Sequence, residues 1–323
     1  MANFSHFIPL TLARMPLRYH TIVHKPKLLR QLTTLTPPEF DQLVRKLEPE
    51  WRERERLRLS RPNRKRAIGQ GHPYFSKHFS DLVLFLIVYT RTSCSNVLLG
   101  IIFGLTEPTV IDLSKKLLPL LQDRFIPETR LRKPRARINT LDDLVATYPE
   151  LTDIVLDGVA VKTRRPKRKQ AKNYSGKSKR HEKKTVIGVN CKDGIIVVRA
   201  KLRPGAVHDK RVLDEDPLHR ELDKRQTLTK RADSAWTGED KKLGWLVNQR
   251  GRRNHPLTKR QKQENKRLSK IRIVVEHAIR RIKVFRRIGE TTMFRAKGKL
   301  DQALNAAINL ANYKQLIRYP ATA

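Results

Sequence analysis

Cysteine is almost absent from this 323-residue chain. Cys94 and Cys191 are the only two, too few for a disulfide framework or a cysteine-based zinc site, so a reducing interior is the default. Aromatic residues make up 6%, which argues against a platform for stacking single-stranded bases. No apolar run approaches the roughly 18 residues a membrane span needs. The longest candidate, Leu82-Val-Leu-Phe-Leu-Ile-Val88, reads as a buried helix. The opening Met-Ala-Asn-Phe-Ser-His-Phe lacks the basic-then-apolar order of a signal peptide. There is no Gly-x-x-x-x-Gly-Lys phosphate loop, so no nucleotide cofactor is expected, and no internal repeat. Acids are the remaining shortage: 31 Asp and Glu face 70 Lys and Arg, a net charge of +39. Folding gains nothing from such self-repulsion, and a polyanionic partner explains it. With no basic amphipathic helix or lipidation signal, duplex nucleic acid fits better than a membrane.

The length suits two domains, and 38% hydrophobic content suffices for their cores. Residues 1–34 are basic and irregular. Thr36-Pro-Pro-Glu-Phe40 looks like a helix start, continued by Leu43, Val44 and Leu47. Residues 52–66 read as a polar extension running into a loop. Asp81–Tyr89, Ser95–Phe103 and Glu107 to about Leu118 form three helical stretches. Gly104 closes the second, Thr106 caps the third and Pro119 stops it. Short helices joined by a tight glycine turn match a helix-turn-helix, with the third segment as recognition helix; an ordinary three-helix bundle shares the pattern. Thr109, Lys115 and Lys116 are its candidate DNA contacts. The expected division is therefore a helical DNA-binding domain over 35–125, a connector over 126–150 and a second domain over 151–323.

In that second domain the periodicity changes. Asp153-Ile-Val-Leu-Asp-Gly158 reads as a short strand ending in a carboxylate. Lys184–Asn190 and Gly194–Arg199 read as two strands joined by an Asp-Gly turn. A helical stretch follows from His208 to about Leu222, interrupted at Pro217. Then comes a strand, Thr227–Ala232, polar for a central position, ending at Asp233. Between the first two strands, Lys162–Lys184 carries 12 basic residues and one acid, and reads as a phosphate-clamping loop or β-ribbon. Basic residues of 250–272 lead into a helix in which Ile271, Val274, Val275, Ala278, Ile279, Ile282 and Phe285 share an apolar face. Arg272, Glu276 and Lys283 border that face within about 40° of one another. A last helix spans Leu300–Ile317.

Three carboxylates stand out: Asp157, Asp233 and Glu276, separated by 76 and 43 residues. Hard divalent cations take oxygen ligands of this kind and keep positions open for substrate phosphate. Two ions held by shared carboxylates can support an in-line displacement at phosphorus. No Cys/His cluster competes.

The motifs Val-Leu-Asp157-Gly, Tyr174-Ser-Gly-Lys…Lys-Arg-His181, Pro204-Gly…His208-Asp209, Ala232-Asp233-Ser…Trp236 and Arg272-x3-Glu276-x6-Lys283 carry a resemblance. They look like a DDE transposase of bacterial insertion sequences, of the insertion-sequence-5 type. The match spans Val155 to Lys283, and its last motif is similar to the family's R-x3-E-x6-K signature. Less specifically, the N-terminal helices resemble the helix-turn-helix preceding such catalytic domains.

The resemblance implies an RNase H-like fold, a mixed sheet flanked by helices (α+β or α/β). It implies metal-dependent cleavage at transposon ends and strand transfer into target DNA. Asp157, Asp233 and Glu276 then serve as catalytic residues and ligands of two Mg²⁺ ions, with Mn²⁺ an acceptable substitute. Arg272, Lys283, Lys177, Lys179, Arg180 and His181 contact DNA. Trp236, where the family more commonly has Tyr, offers a π face to it. His208 and Asp209 shape the loop beside the site. The expected partners are double-stranded transposon ends and target, bound by a homodimer or larger assembly, and the expected location is the bacterial cytoplasm at the nucleoid. No Tyr or Ser stands as a nucleophile in the motif set, which disfavours a covalent protein–DNA intermediate. Two other readings exist: a host-adopted or inactive DNA binder, supported by the polar strand before Asp233, and a structural nucleic-acid-packaging protein, which explains the charge but not the three carboxylates.

Overall fold

The computed structural model describes residues 16–60, 76, 78–121, 152–224, 228–236, 244–251, 253–292, 294 and 298–319. The expected connector, the charged residues 61–66 and positions 1–15 lie outside these residues.

The described residues open with helices α1 (Tyr19–Ile22), α2 (Pro26–Thr33) and α3 (Pro37–Leu59), so the expectation of an irregular segment over 1–34 is corrected from Tyr19 onward, where Ile22 and Leu29 are buried in the core. Thr36 donates its backbone N–H to Glu39 at 2.7 Å, and Pro37 occupies the first turn, where a missing N–H costs nothing. The polar extension expected from residue 52 onward is helical as far as Leu59, where α3 ends. The Arg/Glu alternation allows this: Arg52 reaches Glu48 at 2.7 Å, Arg56 reaches Glu53 at 2.7 Å and Arg58 reaches Glu55 at 2.8 Å, the spacings that face each other on a helix.

Helix α4 (Phe79–Arg91) is apolar all round, and every residue from Leu82 to Tyr89 is buried, as such a helix must be. At its start the buried Asp81 accepts the Tyr19 N–H at 2.6 Å and the Ser76 hydroxyl at 2.5 Å. Helices α5 (Asn96–Phe103) and α6 (Glu107–Leu117) follow, bent 93° from each other across Gly104-Leu105-Thr106. Gly104 takes φ +67°, the left-handed conformation that ends a helix most cheaply when no Cβ is present. Pro119 lies in a 3₁₀ turn, Leu118–Leu121, that tightens the end of α6. No single described helix is long and apolar enough to cross a membrane.

The sheet is built from β1 (Asp153–Lys162), β2 (Tyr174–Ser175), β3 (Arg180–Asn190), β4 (Ile196–Arg199), β5 (Arg203–Pro204), β6 (Thr229–Ala232) and β7 (Trp245–Val247). β1 lies between β3, antiparallel to it, and β6, parallel to it; β7 is parallel to β6 on the far edge. The other side of β3 is covered in turn by β2, β5 and β4. Sequence reasoning did not anticipate β7, whose three residues carry no period-2 signal. The helices of this half are α7 (Gln170–Asn173), α8 (Asp209–Asp214), α9 (Pro217–Lys224), α10 (Lys259–Lys283), α11 (Arg286–Gly289) and α12 (Lys299–Arg318).

Period-2 alternation gives each sheet face its own core. Ile154, Leu156 and Val186 face α8 and α9 through Val212, Leu213 and Leu222. Val155, Val159, Val161, Ile187 and Val189 face the other way, into one hydrophobic cluster with α10, α12 and the N-terminal helices α2 to α6. The helices of the two expected domains thus share a core. Polar ties join them as well: Tyr313 donates to the Glu39 carbonyl at 2.6 Å, and Arg318 pairs with the Glu39 carboxylate at 2.8 and 2.9 Å.

The polarity of β6 has a structural account. Lys230 is 0% exposed, with its ammonium donating to the Leu222 carbonyl at 3.1 Å. Arg231 forms a two-pronged pair with Asp153 at 2.7 and 2.9 Å. A strand satisfied in this way belongs in a sheet interior.

Candidate active site at the β1–β6 edge

Asp157 is not at a strand end, as its Asp-Gly context suggests, but in the middle of β1, opposite Ile187 of β3. It shares the face of Val155, Val159 and Val161, which packs against α10. Asp233 follows β6 directly. Val155 is level with Arg231 in the parallel pairing, so Asp157 and Asp233 stand level on adjacent strands and on the same face. Two residues far apart in sequence are side by side because β6 returns parallel to β1.

Helix α10 closes over them. It starts at a capping box, in which Gln261 donates its N–H to Thr258 Oγ1 at 3.2 Å and Thr258 donates its N–H to Gln261 Oε1 at 2.9 Å. Leu268, Val275, Ala278 and Ile282 are its buried stripe. Arg272, at the margin of that stripe with 16% of its side chain exposed, reaches Asp233 at 3.3 Å and Asp157 at 4.0 Å. One guanidinium therefore serves as counter-charge to both carboxylates, and its Nε is buried without a hydrogen-bond partner. Burial pushes the Asp157 carboxyl above its ordinary range. The Gly158 N–H, bonded at 2.7 Å, and the Arg272 charge pull it back, while Asp233 and Asp209 push it further up. Asp209 owes its nearness to Gly158, where a Cβ would lie 3.2 Å from the Asp209 carboxyl carbon.

Glu276, one turn beyond Arg272, is exposed, as is Lys283. Among the described residues no three Asp, Glu, His or Cys side chains are gathered closely enough to form a metal cage. What is gathered is a pair of carboxylates. Mg²⁺ is commonly held by one or two such groups with the rest of its shell left to water and phosphate, so the donor set fits that ion.

Of the remaining expected residues, Lys177, Lys179 and Arg180 are exposed around the turn between β2 and β3, with Lys179 at φ +52°. The basic 162–184 stretch is thus a ribbon with a short helix in it. His181 packs edge-to-face on Tyr174 with centroids 5.4 Å apart. His208 is exposed and caps α8, accepting the Lys210 N–H at 3.3 Å. In α6, Lys115 is exposed, Thr109 is half-buried, and Lys116 pairs with Asp112 at 2.6 Å. Trp236 requires a correction: at 1% exposure it lies in the core between the sheet and α8, so it offers no ring face to DNA. Its large apolar area outweighs its one polar atom.

Sequence reasoning missed Lys184 as an individual. Its ammonium lies 3.3 Å from Asp209 and donates to the Val207 carbonyl at 3.2 Å, holding the loop that brings Asp209 toward Asp157. The available signal was its position at the start of the apolar run Thr185–Val189, where a cation must find an internal partner.

Residues 156–312 match the family described as DDE superfamily endonuclease, a span that includes Asp157, Asp233 and Glu276. The chain is also similar to the probable transposase for insertion sequence element IS702 of Microchaete diplosiphon. The two are 28% identical over 209 residues, which cover 64% of this chain and 70% of that protein. No solved structure matches. Residues 156–312 are therefore similar to DDE superfamily endonucleases, and the chain shows weak similarity to an insertion-sequence transposase.

Proposed function

We propose that the protein is a transposase that cleaves a phosphodiester at transposon ends and transfers the freed strand into target DNA. The observation that carries this reading is the level placement of Asp157 and Asp233 on adjacent strands under Arg272. Asp157 and Asp233, with Glu276 as third carboxylate from α10, are the residues to hold Mg²⁺, for which Mn²⁺ substitutes. The bound ions supply positive charge that acidifies water and stabilises charge building on the reacting phosphate. Arg272, released from the carboxylates, is placed to pair with a DNA phosphate, and Lys283, Lys177, Lys179, Arg180 and His181 extend the basic surface along the backbone. Water adds across the P–O3′ bond and leaves a 3′-hydroxyl and a 5′-phosphate. That hydroxyl then displaces a 3′-oxygen of the target, so one phosphodiester replaces another.

A three-stranded antiparallel part continued by two parallel strands supports an RNase H-like catalytic domain. The 93° turn between α5 and α6 supports a helix-turn-helix that uses Thr109, Lys115 and Lys116 on transposon ends. The net charge of +39 supports duplex DNA as partner and a place at the nucleoid. Joining two ends calls for at least a dimer on DNA. The satisfied partners of Lys230 and Arg231 remove the argument that a polar β6 marks a defective copy.

The test is Mg²⁺- or Mn²⁺-dependent cleavage of a plasmid carrying both flanks of the gene, with wild type beside Asp157→Asn and binding followed in the same samples. Cleavage that needs metal and vanishes in the variant while binding persists is the expected result. Binding without cleavage by either protein would sink the transposase reading.

A further inference from the structure

Beside the last turns of α10 and α12 opens a cavity of about 350 Å³, within the size range of small-ligand pockets. Its lining holds the cations Arg280, Arg281, Lys314 and Arg318, with His277 and Tyr319, and no acidic side chain. Cations at a helix C-terminus complement its dipole, which accounts for each arginine singly. It does not account for three arginines and Lys314 converging on one cavity.

Only part of this charge is answered from within. Glu39 takes Arg318. Arg281 donates through Nη2 to the Gly194 carbonyl, while its Nε is buried with no partner. Among the described residues, Arg280 and Lys314 form no ion pair. Burial and the nearby Arg318, Arg30 and Arg91 push the Lys314 ammonium below its ordinary range, partly opposed by Glu39. Burial does the same to Arg281, opposed by Asp193 and Tyr319. Cations crowded and partly desolvated in this way are stabilised by an anion that brings several acceptor oxygens.

We infer that this cavity is a phosphate-binding site separate from the carboxylate edge. Arg281 lies roughly 13 Å along α10 from Arg272 and about half a turn around it. A phosphodiester held at Asp157 therefore leaves the cavity free, and the phosphate it takes comes either from a second DNA segment or from a free anion. The binding chemistry stands apart from the cleavage reading. Only the DNA source rests on it.

The experiment uses full-length protein and two probes, sodium pyrophosphate followed by thermal unfolding and duplex DNA titrated over a range of salt. Arg280→Gln/Lys314→Gln is compared with wild type, and Arg280→Gln alone serves as a milder variant because that side chain is exposed. Pyrophosphate is expected to raise the wild-type Tm and to leave the double variant unmoved. If DNA is the source, the slope of log K against log salt also falls by about two in the double variant. A lost pyrophosphate response with an unchanged slope assigns the site to a free anion, and a reduced slope alone assigns it to DNA. If neither readout differs between wild type and a folded variant, the site does not exist. Asp157→Asn keeps the pyrophosphate response in every case, so failure of the cleavage reading is told apart from failure of this one.

Discussion

Two arginines separated by fifteen positions, Arg272 on α10 and Arg287 on α11, are both largely withdrawn from water and are used in opposite ways. Arg287, 7% exposed, has its surroundings arranged around it. Its Nε donates to the Tyr89 carbonyl at 2.5 Å and its Nη2 to the Cys94 carbonyl at 3.1 Å, and the guanidinium lies 3.9 Å from the centre of the Tyr89 ring. Those carbonyls belong to the end of α4 and the segment after it, so this cation fastens the N-terminal helices to the C-terminal ones. Arg272 instead faces two carboxylates at 3.3 and 4.0 Å, with Nε lacking a partner. One cation is fully answered by fixed backbone and a ring. The other is shared between two carboxylates that repel each other, neither of them at close hydrogen-bonding distance. The seam between the helices is satisfied, whereas the carboxylate pair and its guanidinium keep polar groups unanswered.

The sharpest way to break this comparison is to separate the halves. Residues 151–323 expressed alone lose α4 and the 3₁₀ turn that α12 packs against, and should give soluble protein without a cooperative thermal transition. A sharp unfolding transition from that fragment would show that the shared core is dispensable. Next in size, Arg287→Met should destabilise by about 2–3 kcal/mol, since it strands two carbonyls, whereas Arg272→Met should cost less, because the Asp157 carboxyl, already pushed up by burial, can take a proton when its counter-charge is lost, while abolishing cleavage. Denaturant titration beside the plasmid assay checks both, and equal losses of stability would erase the distinction.

A smaller effect belongs to the second seam, Glu39 with Arg318. The Arg318 hydrogen bonds hold the Glu39 carboxyl down at about 2, against an ordinary 4.5 and in spite of its burial. A depressed acid contributes stability above its unfolded pKa and loses it as the pH falls through the folded one. Glu39→Gln should therefore cost about 1–2 kcal/mol at neutral pH, allowing for solvent screening. The gap from wild type should close between pH 4.5 and 2. Chemical denaturation across that range reads it directly.

The smallest effect has the opposite sign. Burial raises the Asp157 pKa, so its ionised form costs stability at neutral pH, and that cost disappears as the pH falls through the raised value. Asp157→Asn should thus unfold at a higher temperature than wild type at pH 7, with the advantage shrinking toward pH 4. A variant less stable than wild type at pH 7 would mean that Arg272 needs this carboxylate more than burial penalises it.

Much of the site was legible because its signals are local. Asp157 and Asp233 sit in short apolar or β-forming runs, and the apolar stripe of α10 reads at 3.6-residue spacing, so both carboxylates and Arg272 were nameable without coordinates. Trp236 was misplaced because an aromatic beside a motif looks the same in sequence whether it faces solvent or core. The polar β6 was hard to read because the partners that license it, Asp153 and the Leu222 carbonyl, come from elsewhere in the chain. The cavity lined by Arg280, Arg281, Lys314 and Arg318 escaped for the same reason, and β7 because three successive apolar residues show no alternation.

By itself the sequence determined the large excess of positive charge, the alternation of β1, the caps and glycine turn of the N-terminal helices, and the identity of the acids. Each depends on composition or on neighbours within a few positions. Only the tertiary structure decided that Asp157 and Asp233 stand level under one guanidinium and that the helices of both halves share a core. It also decided that Arg280, Arg281, Lys314 and Arg318 converge. Those are relations between segments remote in sequence, fixed by a parallel strand return and by helix packing, and no local period encodes them.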